Sequence, residues 1–211
     1  MPEPGDFLSD VIEIRRRARQ HIEEGAVTSG YRADREKVIQ LLNEALATEI
    51  VCTLRYRRHY YMATGLQSEP VAQEFLEHAN EEQQHADLIA IRITQLGGAP
   101  NLNPQGLLTR SHSEYIEGTT LTDMIREDLV AERIAIDSYG EIIRYLADKD
   151  PTTRRVMEEI LAREEEHADD LAKLLTSFDT SSKDATKEGA KSNDNSPKPE
   201  GNGSKSKSAS H

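Results

Sequence analysis

Four stretches of this chain carry apolar residues at helical spacing, and each is interrupted near its centre by a glutamate on the apolar face. The first stripe passes from Val38, Leu42 and Ala45 through Glu49 to Cys52 and Tyr56. The second runs from Val71 and Phe75 through Glu82 and His85 to Ile89, Ile93 and Leu96. The third reads Leu121, Ile125, Leu129, Glu132, Ile136, Tyr139, Ile143, and the fourth Met157, Ile160, Glu164, His167, Leu171, Leu174. Steps of three, four or seven residues stay on one side of an α-helix. These carboxylates therefore point where a bundle ordinarily buries hydrocarbon.

Local signals bound the four patterns. Asp34 is placed to N-cap the first, which Gly65 closes; the second follows Ser68, with Pro70 in its first turn, and stops before Gly97-Gly98. The third begins after Thr119-Thr120 and runs to about Ala147; the fourth opens on Asp150-Pro151 and ends near Phe178. Each is roughly 40 Å long. Short loops join the first to the second and the third to the fourth, giving two antiparallel hairpins, while the link from Gly97 to Thr120 is long enough to run the length of a bundle. The expected fold is all-α: a four-helix bundle over residues 35–178, built of two antiparallel hairpins and a long crossover. Residues 1–34 form an N-terminal extension with a short basic helical stretch from Ile12 to Glu24, broken by Gly25, Ser29 and Gly30. Residues 179–211 hold eight Ser and six Lys but no Val, Ile, Leu, Met, Phe or Tyr. Such a segment buries too little apolar surface to offset its ordering entropy and reads as a disordered polar tail.

Glu49, Glu82, Glu132 and Glu164 each fall near a helix midpoint, and antiparallel helices of similar length bring their midpoints into one layer. Four carboxylates and two imidazoles should therefore converge inside the bundle. Without cations they would repel one another and lose hydration at several kcal/mol per ion. Each hairpin supplies one lone Glu, one Glu-x-x-His, and a Tyr seven residues after the lone Glu, Tyr56 and Tyr139. At positions i and i+3 both members of the motif reach inward. Two Glu-x-x-His motifs alone are weak evidence in a Glu-rich chain; the matched lone glutamates at mid-helix make the pattern specific. The candidate catalytic and metal-ligating residues are Glu49, Glu82, His85, Glu132, Glu164 and His167. Oxygen and imidazole donors suit iron or manganese, and Cys52, the only cysteine, excludes a site of clustered thiolates.

Other residues carry alternative readings. Asp128 and Glu81 are both placed to accept a proton from the outer nitrogen of a ligating histidine. Tyr56 is a core aromatic or a donor of an electron or hydrogen bond. His59 and His78 guide metal ions or, more simply, lie at a surface or interface. Cys52 packs in the core; Arg55, Arg57, Arg58, Arg92 and His112 make solvent or subunit contacts. The formal charge of −12 favours cations over phosphates as partners. The tail has six Lys against five acids, so the negative excess lies before residue 179. No signal peptide and no 18-residue apolar run is seen, which gives a cytoplasmic protein with no membrane segment as the expectation.

The segments Asn43 to Ala63, Glu81 to Asp87, Gly97 to Leu102 and Glu159 to Ala168 resemble bacterioferritins. The resemblance covers residues 35–176 and implies a ferritin-like fold. It implies two iron ions per subunit, with manganese as the alternative. Glu49 and Glu132 are then terminal ligands, Glu82 and Glu164 bridge, and His85 and His167 take one metal each. The implied activity is ferroxidase: oxidation of Fe(II) by dioxygen or hydrogen peroxide, with ferric mineral stored in a homo-oligomeric cage of twelve or twenty-four subunits. Where bacterioferritins bind haem through a Met after the second-helix Glu, this chain has Gln83, so no haem is expected there. A polar tail replaces the short fifth helix of the larger cages, which favours a Dps-like mini-ferritin of twelve. Competing functions are peroxide removal by a manganese-catalase-like or peroxidase centre, and a DNA-protecting cage using the tail and the N-terminal arginines.

Overall fold

The computed structural model describes residues 10–65 and 68–191, with side chains to residue 178. Its helices are α1 (Val11–Arg17), α2 (Arg35–Met62), α3 (Ser68–Gln95), α4 (Leu107–Arg110), α5 (Leu121–Leu146) and α6 (Pro151–Lys191), with a 3-10 turn at Ile22–Glu24. There is no strand among the described residues, and no described helix is long and apolar enough to cross a membrane.

The helix starts follow their capping chemistry. Asp34 accepts from the Lys37 amide at 3.1 Å. Thr120 and Asp123 form a reciprocal capping box at the head of α5, and Asp150 accepts from the Thr153 amide at 2.9 Å. The expected helix from Ile12 to Glu24 is broken instead: α1 stops at Arg17, and His21 takes the left-handed conformation before the 3-10 turn. Nothing on α1 is buried, and local pairs such as Arg16–Glu13 at 2.7 Å help support it.

Contacts between helices give their directions. Glu49 and Tyr56 on α2 meet Tyr139 and Glu132 on α5, so these two run antiparallel. Glu81 and Arg92 on α3 meet His167 and Thr153 on α6, again antiparallel. Helix α3 therefore ends at the opposite end from the start of α5, and the crossover spans the bundle. It carries the short α4 and is pinned to α2 by Asn43, which accepts from the Asn101 amide at 2.6 Å, and by Thr48, which accepts from the His112 amide at 2.9 Å. At its far end Gly118 has φ +63°, and a Cβ there would sit 2.9 Å from the Met124 backbone nitrogen; only glycine fits.

The main apolar core, with Leu42, Leu46, Ile89, Ile93, Leu146 and Met157, fills the end of the bundle where α2 and α6 begin. Val51, Phe75, Ile125 and Leu171 are buried beyond the glutamate layer. The carboxylates thus lie between two hydrocarbon regions rather than at a surface.

One buried ionic cluster ties three segments together. Asp150 accepts from Arg92 Nη2 at 3.1 Å, from Thr153 Oγ1 at 2.5 Å and from Tyr31 Oη at 2.9 Å. Arg92, expected at solvent or a subunit contact, is instead buried because its partner caps α6 directly opposite. Burial works to raise the Asp150 pKa, but bonds from Thr153 and Tyr31 and the Arg92 charge outweigh it and lower it. Its stabilisation is then complete above the unfolded aspartate value of about 3.9 and is lost as pH falls through the lower folded value. Asp150→Ala is expected to cost about 1.5–3 kcal/mol, the range for charge-assisted hydrogen bonds. Asp150→Asn should show a shallower loss of Tm on acidification than the parent chain, read by thermal melts between pH 7 and 3.

The compact unit of the bundle ends at Leu175, and residues from Thr176 group separately. Helix α6 nonetheless continues to Lys191, past the expected end near Phe178 and into the segment expected to be disordered. Extending an existing helix needs no new nucleus, so a polar sequence with Ala, Lys and Glu suffices. The rest of the expected tail, residues 192–211, lies outside the described residues.

Candidate metal centre

All six candidate residues are buried and converge at one level of the bundle. They form two sets of donors. Glu49, Glu82, His85 and Glu164 offer ligand atoms within 4.8 Å of one another, and so do Glu82, Glu132, Glu164 and His167. Glu82 and Glu164 belong to both. On the first side His85 Nδ1 lies 3.0 Å from Glu164, 3.5 Å from Glu49 and 3.9 Å from Glu82. On the second, His167 Nδ1 lies 3.3 Å from Glu82, 3.6 Å from Glu164 and 4.0 Å from Glu132.

The inward atoms lack hydrogen-bond partners. Glu49 Oε2, Glu82 Oε1, Glu132 Oε2, both Glu164 oxygens and the Nδ1 atoms of His85 and His167 are buried and unpaired in hydrogen-bond geometry. Native interiors almost always satisfy such atoms. Seven such atoms facing one space suit a cation, and the carboxylates and imidazoles present fit a metal ion.

What surrounds these atoms fixes their orientation. Tyr139 donates to Glu49, and Tyr56 donates to Glu132. Each hairpin's tyrosine thus holds the other hairpin's lone glutamate, leaving its second oxygen facing inward. Behind His167, Nε2 pairs with Glu81 Oε2 at 2.6 Å. A proton held there leaves the Nδ1 lone pair for a metal. Glu81, rather than Asp128, is the acceptor for this histidine.

Protonation follows from the same crowding. Burial, then the Glu82 charge, pushes the Glu49 carboxyl up to about 8 and raises Glu132 well above the carboxylate range. Burial opposes charge on the two rings, but Glu164 together with Glu49 for His85, and Glu164 together with Glu82 for His167, outweighs it. Both rings are raised, His167 to about 12. The layer recruits positive charge even when only protons supply it, so metal loading must displace protons.

Asp128 has a different task. It accepts from Arg55 Nε at 2.7 Å and pairs with His59 Nδ1 at 2.7 Å. Arg55 also donates to the Glu114 carbonyl at 2.7 Å, and His59 Nε2 lies 3.0 Å from the Glu117 carbonyl. Arg55, expected at solvent or a subunit contact, and His59, expected at a surface or interface, are fully buried within the chain, because a carboxylate 73 positions away neutralises the arginine and the crossover covers the pair. Arg57 and Arg58 stay near solvent and pair with Asn80 and Glu117. His112 is half-buried near Glu44. His78 is buried too: its ring stacks on His167 with centroids 4.0 Å apart, and Nδ1 lies 3.3 Å from Tyr56 Oη. Cys52 packs in the interior as expected, its thiol pKa raised by burial.

Known proteins share this architecture. A model of the ferritin-like domain matches residues 39–181. The chain is 33% identical over 147 residues to the DNA protection during starvation protein of Pyrococcus furiosus, covering 68% of this chain and 79% of that one. Over 141 residues it is 33% identical to the bacterioferritin of Brucella melitensis, covering 66% and 83%. A dodecameric thioferritin, the bacterioferritin-related protein of Bacteroides fragilis, superposes with a TM-score of 0.70 at 34% identity, over 72% of this chain and 92% of that chain. Dps from Thermosynechococcus elongatus shares the fold with a TM-score of 0.64 at 21% identity, over 66% and 90%. The bundle, its inward glutamates and a family match across most of the chain agree: this chain belongs to the ferritin-like family.

Proposed function

We propose that the chain is a ferroxidase and iron-storage protein that binds two Fe(II) in the centre of its bundle and oxidises them with dioxygen or hydrogen peroxide. The observation that carries this reading is the pair of donor sets sharing Glu82 and Glu164. Two carboxylates common to both sets are suited to bridging, Glu49 and Glu132 to serving as terminal ligands, and His85 and His167 to taking one ion each. Two Fe(II) supply two electrons, enough to reduce dioxygen with two protons to hydrogen peroxide. The chain's own contribution is positioning. Tyr139 and Tyr56 hold the terminal carboxylates, Glu81 fixes the ring of His167, and the hydrocarbon on both sides of the layer keeps bulk water away. The donors among the described residues are carboxylates and imidazoles, a set that suits iron and manganese.

Assembly into a cage is the second part of the proposal. The Bacteroides relative is a dodecamer, and exposed apolar side chains on α2, Leu54, Tyr61 and Met62, offer area for subunit contacts. The test is an anaerobic Fe(II) titration followed by oxygen, on protein sized by light scattering. Two irons per chain, oxidised quickly in a particle of many subunits, are expected. Rapid peroxide dismutation by manganese-loaded protein with slow iron turnover would replace this reading with the catalase one.

A further inference from the structure

The two hairpins align on Glu82 and Glu164, and many of their inward positions match in kind. The buried Asp128 and His59, which pair with each other, stand where the other half has Ala45 and Ile142, and one further trio also differs. Eight and four residues before Glu164 stand Val156 and Ile160, and three after His85 stands Leu88; all are apolar. The corresponding positions of the other half hold Glu74, His78 and Asp170. Packing at this place is satisfied by hydrocarbon in one half, so it does not require two carboxylates and an imidazole in the other.

Those three side chains converge. Their ligand atoms lie within 4.8 Å of one another, with His78 Nε2 3.3 Å from Glu74 Oε1. The ring itself is only 2% exposed, whereas the Glu74 side chain is 32% exposed and Asp170 is half-buried. Hydrogen-bond accounting orients the imidazole. Tyr56 gives its one proton to Glu132, so its oxygen accepts from His78, which places the ring proton on Nδ1. Nε2 then aims a bare lone pair at the Glu74 carboxylate, and a second carboxylate, Asp170, faces the same point. The exposed Lys173 reaches Asp170 at 3.0 Å, a solvated pair of little strength. Three electron-rich atoms meeting beside a buried ring call for a cation.

We propose that Glu74, His78 and Asp170 form a third divalent-cation site at the solvent side of the His167 half, from which the ion passes inward. One nitrogen and two carboxylate oxygens suit Fe(II), Mn(II), Co(II) or Zn(II). His78 is the link: its protonated edge faces Tyr56, which holds Glu132, and its plane lies on His167. Inward transfer rests on the dinuclear reading above; binding at the outer trio does not.

The test counts Co(II) bound per chain in the assembled full-length protein by anaerobic equilibrium dialysis. Glu74→Gln with Asp170→Asn preserves shape and removes the charge. The expected result is three ions per chain in the parent protein and two in the double variant. Equal counts in the two proteins would overturn the outer site. Glu82→Gln separates the two readings: loss of inner ions with one retained supports both. An unchanged count in Glu82→Gln would undo the dinuclear centre while leaving the outer site standing. Inward transfer predicts that the initial rate of Fe(II) oxidation at low iron falls about tenfold in the double variant, the low end of what a charged mouth contributes to capture. An unaltered rate at low iron would remove the transfer role.

Discussion

Glu82→Ala is expected to abolish rapid aerobic oxidation of Fe(II) while the far-ultraviolet circular dichroism stays helical. Glu82 is common to both donor sets, so its loss removes an oxygen from each metal position at once. His167→Ala should fail as well, for a narrower reason: it takes the only imidazole from the second set and leaves Glu81 with no ring to hold. Neither change should unfold the protein. Removing one of four crowded carboxylates relieves repulsion, and the hydrocarbon on both sides of the layer remains intact. Stopped-flow absorbance of the ferric product measures the effect. Parental rates in both variants would sink the site assignment.

The second large effect concerns stability. Asp128→Ala leaves the Arg55 guanidinium buried with its main counter-charge gone and His59 without its Nδ1 partner. Breaking a buried pair by removing one member costs about 3–5 kcal/mol, because the remaining charge is neither solvated nor compensated. The Glu114 carbonyl and Ser113 hydroxyl on Arg55, at 2.7 and 3.3 Å, soften the loss without replacing a carboxylate. Thermal melts should show a large drop in Tm, and hydrogen exchange should quicken in residues 113–117, where the crossover is tied to Arg55 and His59. Asp128→Asn should fall between the parent and Asp128→Ala. A melting temperature unchanged in Asp128→Ala would mean that Arg55 finds another partner.

The features legible in the sequence were those with local or periodic causes. Asp34, Thr120 and Asp150 cap the helices that follow them within three residues, and the inward glutamates sit in register with their hydrophobic neighbours. Helical period and midpoint counting therefore located the layer. Buried cations were not legible, because a charge reads as solvated until its partner is known. The partners of Arg55 and Arg92 are 73 and 58 positions away. The exchange of tyrosines was hidden for the same reason: Tyr56 and Tyr139 stand at matched places, yet each serves the opposite hairpin. Glu74 and Asp170 did leave a signal, as departures from the apolar pattern of the second hairpin, visible only once the two halves are aligned on Glu82 and Glu164.

The crossed tyrosines also bear on how the chain reaches its native state. Either hairpin alone holds three of the six inward ligands, and its lone glutamate lacks the hydroxyl that orients it. An isolated hairpin can keep those carboxylates hydrated in its open groove. Water must be stripped from all four when the two halves close on each other, a cost that falls on that docking event. A docking shifted by one helical turn would set carboxylates against hydrocarbon and strand both hydroxyls. The polar layer thus penalises misaligned bundles energetically and favours the one register in which both hydroxyls find their carboxylates.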